Sequence, residues 1–223
     1  MPFARSPIGL TFDDGPDERW TLSVLEELEL CHVQATFFVL GERVEAAPAV
    51  VRAAVDAGHE VQLHGHRHLR HSQLTEEEIE LDTRAALDAL AQLGVRPARW
   101  RTPWGIATPA SHRVAARHGL TLVHWTIDTH DWRGDPALAM LARARRQLAP
   151  GAVVLMHDGL GPGAMRGGCE NTVALLAPLI AAARARGLAP AAAVPRTSDS
   201  SVLSAPARSS SREHCAPQPL GAL

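Results

Sequence analysis

The stretch IGLTFDDGP, residues 8–16, runs apolar from Ile8 to Phe12, broken only by Gly9 and Thr11. It then stops on two adjacent carboxylates, Asp13 and Asp14, and a Gly15-Pro16 turn. It reads as a strand whose C-terminal end carries reactive side chains. The same juxtaposition recurs down the chain. EVQLH (60–64) leads into HGHRH (64–68), and ARWR (98–101) into RTPWG (101–105). TLVHWTI (121–127) leads into DTHDW (128–132), and AVVLMH (152–157) into Asp158. When strands alternate with helices, strand C-terminal ends converge on one face, where such folds keep their functional groups. Scattered surface residues would not keep that phase.

The segments between these strands read as helices. Trp20–Leu30 places Leu22, Leu25 and Leu28 on one face, and ATFFVL (35–40) is a further apolar strand. PAVVRAAVDAG starts at Pro48 and stops at Gly58, punctuation typical of a helix. Thr75 and Glu78 form a capping box that opens a helix ending at Gly94. Thr108-Pro109 opens a helix closed by Gly119, Asp135-Pro136 opens another, and NTVALLAPLIAAARARG forms the last. A weak seventh strand is expected near Leu188–Val194. Right-handed βα crossovers with all strands parallel predict a barrel or a doubly wound sheet.

A chain of 223 residues fits one α/β domain plus a tail. Its formal net charge of −2 gives no bulk attraction to nucleic acid or an anionic membrane. Cys31, Cys169 and Cys215 are far apart, without a CxxC pair, so neither a disulfide framework nor a thiolate metal site is expected. Tyrosine is absent, which rules out a tyrosine acid or nucleophile. The N-terminus reaches a strand within ten residues with no apolar leader core, and no run approaches the ~18 apolar residues of a membrane helix. As written, the chain is expected to be cytoplasmic; a longer N-terminus would make it secreted or surface-bound. From about Pro195 the composition turns to Ser, Pro, Ala and Arg without apolar periodicity, which predicts a disordered tail over 195–223.

The polar clusters suggest specific chemistry. His64 and His68, four residues apart, can meet at one ion, although His59, His66 and His71 make a plain surface cluster an alternative. Asp14 at the mouth of the first strand would supply the anionic partner. Two adjacent carboxylates repel unless cations divide their roles. A metal on Asp14 and the Arg101 guanidinium on Asp13 would do so, leaving Asp13 an ionised base. His157 is either a satisfied core histidine or a general acid partnered by Asp131. Trp104 and Trp132 are expected to line a cleft, and Asp128 to serve a turn.

In this order, TFDDGP, HxxxH, R-x-P-W-G, D-x-x-D-W and L-x-H-D resemble the five signature motifs of the NodB-homology polysaccharide deacetylases, carbohydrate esterase family four. The resemblance spans residues 7–194. It implies a single domain with a distorted (β/α)7 barrel that removes acetyl groups from N- or O-acetylated sugars with a divalent metal, zinc first and cobalt or nickel as alternatives. By position it implies Asp13 as catalytic base and His157 as general acid. Arg101 would orient the base, and Asp131 would tune the histidine. Asp14, His64 and His68 would be the metal ligands. Leu155 would line the acetyl-methyl pocket, and Trp104 would offer a backbone N–H to the oxyanion.

Two positions depart from the family pattern: Gly65 stands where Ser or Thr is usual, removing a hydroxyl that would brace the loop, and Leu63 stands where Asn is common. The expected partner is an acetylated carbohydrate, with chitin, peptidoglycan, xylan and lipid-linked sugars all open. A metal amidohydrolase acting on a non-sugar amide and an idle sugar-binding domain are the competing readings. The intact Asp13 and His157 speak against idleness.

Overall fold

Strand β1 (Ser6–Asp13) is buried from Ile8 to its end and lies in the interior of an all-parallel sheet. The computed structural model describes residues 6–192. After β1 come α1 (Trp20–Leu30), β2 (Thr36–Leu40), α2 (Gly41–Ala46), α3 (Pro48–Asp56), β3 (Glu60–Gly65) and α4 (Glu76–Ala91). The second half runs β4 (Arg99–Trp100), α5 (Pro109–Arg117), β5 (Thr121–Leu122), β6 (Ile127–Asp128), α6 (Ala137–Arg145), β7 (Val153–His157), α7 (Glu170–Arg184) and β8 (Leu188–Ala191). The proposed tail over 195–223, with Cys215, lies outside the described residues, as do the last residues of the expected seventh strand.

The strands lie in the order β5-β4-β3-β2-β1-β7-β6, with β8 beside the first half of β1. The sequence reading of TLVHWTI as one continuous strand needs correction. Thr121 and Leu122 pair with β4, whereas Ile127 and Asp128 pair with β7 at the other end of the sheet. Val123 N–H still bonds to Trp100 O at 2.9 Å, and Thr126 N–H already bonds to Val153 O at 2.9 Å. Residues 123–126 therefore carry the chain between the two sheet edges, and a regular strand cannot make that turn. Taking this bent segment as one stave and β8 as the last gives the distorted (β/α)7 barrel.

The core is built as the apolar pattern dictates, with Phe12 stacked on Phe37 at 5.1 Å between ring centroids. Each fully buried Leu, Ile or Phe contributes about 1.5–3 kcal/mol. On α1 the buried stripe is Thr21, Val24, Leu25 and Leu28, while Leu22 is 44% exposed. A three-residue spacing drifts off a 3.6-residue helical face, which is why the expected Leu22 contact does not form. The capping box of α4 is present, with Thr75 Oγ1 accepting from Glu78 N and Glu78 Oε2 accepting from Thr75 N. It fixes a helix whose buried stripe runs Ile79, Asp82, Thr83, Ala86 and Leu90. Helix α2, only six residues long, has no periodic signature, because its GERVEA sequence spans less than two turns.

Parallel register aligns the strand ends that carry chemistry. Asp13 pairs with His157 across β1 and β7, and Leu63 pairs with Trp100, which brings His64 beside Arg101.

Candidate active site

Three ligand-type side chains meet at the mouths of β1 and β3. Asp14 Oδ1 lies 3.3 Å from His64 Nε2 and 3.4 Å from His68 Nε2. Among the described residues, Asp14, His64 and His68 are the set whose ligand atoms all fall within 4.8 Å of one another. Asp14 Oδ1 is buried without a hydrogen-bond partner, as an atom reserved for an ion would be. His64 Nδ1 is 2.7 Å from the Arg101 carbonyl, an acceptor only, so Nδ1 carries the proton. That leaves Nε2 for a cation in the neutral ring, an arrangement common to histidine metal ligands. Burial pushes the His68 pKa down to about 4, which keeps this ring neutral. Burial pulls His64 the same way, but the Asp13 and Asp14 charges and its hydrogen bond to the Arg101 carbonyl raise it overall, so an ion would displace a proton there. Asp14 is held well below the usual carboxylate range. Burial opposes this, but the close approach of the His64 imidazole and the charges of His157 and His68 outweigh it.

Asp13, the other carboxylate of the pair, faces a different partner. Arg101 is fully buried and its Nη1 donates to Asp13 Oδ1 at 2.6 Å and to Thr11 Oγ1 at 2.8 Å. Its guanidinium also lies 4.2 Å over the Phe38 ring. Losing either member would strand a buried charge, a cost of about 3–5 kcal/mol. The two adjacent aspartates are thus separated in role: one meets a guanidinium, the other two imidazoles.

On the facing side His157 Nδ1 is 2.7 Å from Asp131 Oδ1. Asp131 is fully buried, and its Oδ2 accepts from His157 N, Thr172 Oγ1 and Arg166 Nη1. Burial opposes a charge on His157, but the Asp131 carboxylate, by charge and hydrogen bond, with Asp14 and Asp13 behind it, raises the pKa to about 9. The imidazole is therefore protonated at neutral pH. Asp158 next to it is buried, accepts from Thr21 Oγ1 at 2.6 Å, and is pushed up to about 7 by burial and the nearby aspartates.

A cleft of ≈ 310 Å³ opens between these groups, walled by Trp104, Trp125, Trp132, Leu155 and the 159–164 loop. Trp104 sits at φ 61°, a strained conformation for a bulky residue. In its turn Gly105 and Ile106 donate their N–H groups to Thr102 and Pro103, and among the described residues no hydrogen bond is found for the Trp104 N–H. Gly105 is needed there, because φ is +65° and an added Cβ would lie 2.5 Å from Trp125 Cη2. Asp128 lines the cleft as well as capping its turn through His130 N at 2.7 Å.

A profile of the polysaccharide deacetylases matches residues 2–123. The chain belongs to the polysaccharide deacetylase family. A chitooligosaccharide deacetylase of Bradyrhizobium sp. (strain ANU 289) is 36% identical over 186 residues, 80% of this chain and 84% of that protein. A peptidoglycan-N-acetylglucosamine deacetylase of Bacillus cereus is 32% identical over 163 residues, 72% of this chain and 58% of that one. The family 4 carbohydrate esterase from Streptomyces lividans, solved in complex with acetate, superposes with a TM-score of 0.76 at 32% identity, covering 83% of this chain and 91% of its own. This polysaccharide deacetylase is thus a carbohydrate esterase family 4 enzyme with the barrel of that family.

Every site residue singled out in the sequence lies in or directly behind the cleft of the deacetylase. Asp13, Asp14, His64, His68, Trp104, Trp132, Leu155 and His157 line it, while Arg101 and Asp131 stand buried behind Asp13 and His157. The sequence reading missed the clamp on Asp131. Arg166 also donates to His157 O and to Thr172 Oγ1, yet AMRGG looks like an exposed loop. The only available signal was an arginine inside a Gly-rich segment close to LMHD.

Proposed function

We propose that this deacetylase is metal-dependent and hydrolyses the acetamido group of N-acetylated sugars within oligosaccharides or polymers. The observation that carries the proposal is one cleft holding a cation-ready Asp14–His64–His68 set, a carboxylate base and a protonated imidazole. Asp14, His64 and His68 fit a divalent ion by donor type, by their mutual approach and by the orphaned Asp14 Oδ1. Such an ion supplies Lewis-acid polarisation of the acetyl carbonyl. One carboxylate with two imidazoles suits zinc, and cobalt or nickel accept the same donors.

The chain's own groups divide the remaining work. Asp13, oriented by Arg101, removes the proton of the attacking water. The Trp104 N–H, without a partner among the described residues, is a donor for the developing oxyanion, a contribution worth about 2.7–4 kcal/mol in other enzymes. His157, kept protonated by Asp131, delivers the proton to the departing nitrogen. An amine cannot leave as its anion, so a strongly protonated acid suits an N-acetyl substrate. Leu155 and the tryptophans supply the apolar wall against which an acetyl methyl and a sugar ring pack.

The cleft is at the low end of the ~300–1,000 Å³ typical of ligand pockets, so a polymer would engage it one sugar at a time. The relatives named for chitooligosaccharide and peptidoglycan N-acetylglucosamine deacetylation support the same substrate class. An acetate-release panel on metal-reconstituted protein tests the proposal. Chito-oligosaccharides and peptidoglycan fragments are expected to be turned over, and non-sugar amides are not. Preference for a simple amide over every acetylated sugar would overturn it.

A further inference from the structure

The two histidine ligands are fixed by different means, and only one of them is fixed directly. His64 is pinned through Nδ1 to the Arg101 carbonyl, but His68 Nδ1 is buried with no partner. Beyond the edge contact of its ring with Trp104, at 5.0 Å between centroids, the placement of His68 therefore depends on the three residues between the ligands. Gly65 begins that loop at φ +123°, a conformation that glycine adopts without strain. With no side chain of its own, it cannot brace the turn.

The brace comes from helix α4. Asp82 Oδ2 accepts the N–H of His66 at 2.9 Å, and Oδ1 accepts the N–H of Arg67 at 3.0 Å. One carboxylate thus takes both consecutive donors of the ligand loop. Its side chain is 3% exposed, whereas the cation paired with it among the described residues, Arg67 Nε at 3.7 Å, belongs to a side chain 62% exposed. Burying a carboxylate in a helical stripe with Ile79, Ala86 and Leu90 is costly unless hydrogen bonds compensate it. Glu77 and Glu78 on the same helix are exposed, so Asp82 is not an ordinary helix acid. The fit to Gly65 is close: a Cβ there would lie 3.1 Å from Asp82 Oδ2 and 3.3 Å from Arg67 O. The glycine makes room for the carboxylate that replaces the missing hydroxyl.

We propose that Asp82 is a positioning residue that sets the metal affinity of the site by holding the 65–67 loop, and through it His68, in ligating geometry. The inference rests on the metal reading of Asp14, His64 and His68. Loss of a residue that orients a ligand typically costs 10–100-fold in metal affinity. Asp82→Asn keeps the shape but turns one acceptor into a donor facing an N–H, and Asp82→Ala removes both acceptors.

The test is titration of the metal-free full-length protein with Co²⁺, following the visible d–d absorption, with the melting temperature of the metal-free protein measured in parallel. Wild type is expected to bind Co²⁺; failure to do so would refute the metal site itself, and this inference with it. If wild type binds, both Asp82 variants are expected to weaken binding about 10–100-fold and to alter the Co²⁺ spectrum. Gly65→Ala, which crowds the same oxygen from the loop side, is expected to do likewise. Ile79→Val loosens α4 without touching the loop and is expected to keep wild-type affinity and spectrum despite a lower melting temperature. Wild-type affinity in the Asp82 variants, or a loss in Ile79→Val proportional to its loss of stability, would overturn the proposal.

Discussion

Replacing Asp131 by Asn removes one charge and little shape from behind His157, and its consequence is a pH profile. In the wild type, burial works against the imidazolium, and the Asp131 charge and 2.7 Å hydrogen bond overcome it to give a pKa of about 9. Without that anion the value falls toward the ordinary 6.5, with Asp13 and Asp14 still favouring the charged form against burial. At pH 8 a group with pKa about 9 is about 90% protonated, and one at 6.5 is about 3% protonated. The variant therefore loses up to about 30-fold at pH 8 through protonation state alone, and much less at pH 6. A bound dication shifts both proteins in the same direction, so the difference between the two profiles is what is read. The assay is kcat for acetate release from an acetylated chito-oligosaccharide between pH 5.5 and 9.5 at saturating metal. The basic limb is expected to move to lower pH in Asp131→Asn. A uniform loss at every pH, with the limb unmoved, would refute the reasoning that Asp131 maintains the proton on His157.

The leaving group gives an independent check on His157. His157→Ala is expected to lose about 10²–10⁴-fold on an acetamido sugar and far less on an activated acetyl ester, whereas Asp13→Asn is impaired on both; equal losses of His157→Ala on the two substrates would remove His157 from the acid role. Gly161→Ala adds a Cβ that would overlap Asp14 Oδ2, so metal content by elemental analysis is expected to fall with little change in the fold by circular dichroism. Stability of the metal-free protein carries the same signature as catalysis. A His157 pKa raised to about 9 contributes stability fully present below pH 6.5 and lost as pH rises through 9. The melting temperature of the wild type is therefore expected to fall more steeply over that window than that of Asp131→Asn.

Much of this site was legible because its residues follow apolar strands at their C-terminal ends, and parallel register then leaves them little freedom. Asp13 and His157 come together because β1 and β7 pair in register, and neither position needs a long loop to reach the other. The capping box at Thr75 was readable for a similar reason, since its partner Glu78 lies three residues on. What escaped were contacts between distant segments. Arg166 meets Asp131 across 35 residues, and Asp82 meets the His66 N–H across 16; a lone arginine or a helix acid carries no local mark of either. The break at Val123–Thr126 was hidden because each half keeps β-type composition, and only closure of the sheet forces the chain to turn there.

The central claim is that one metal held by Asp14, His64 and His68 makes this cleft a sugar deacetylase. It is tested most directly by acetate release from N-acetylated chito-oligosaccharide before and after removal of metal, with metal content verified by elemental analysis. Metal-free protein is expected to be inactive, and stoichiometric Zn²⁺ or Co²⁺ to restore turnover in wild type but not in Asp14→Asn. Undiminished acetate release from verified metal-free protein would contradict the account.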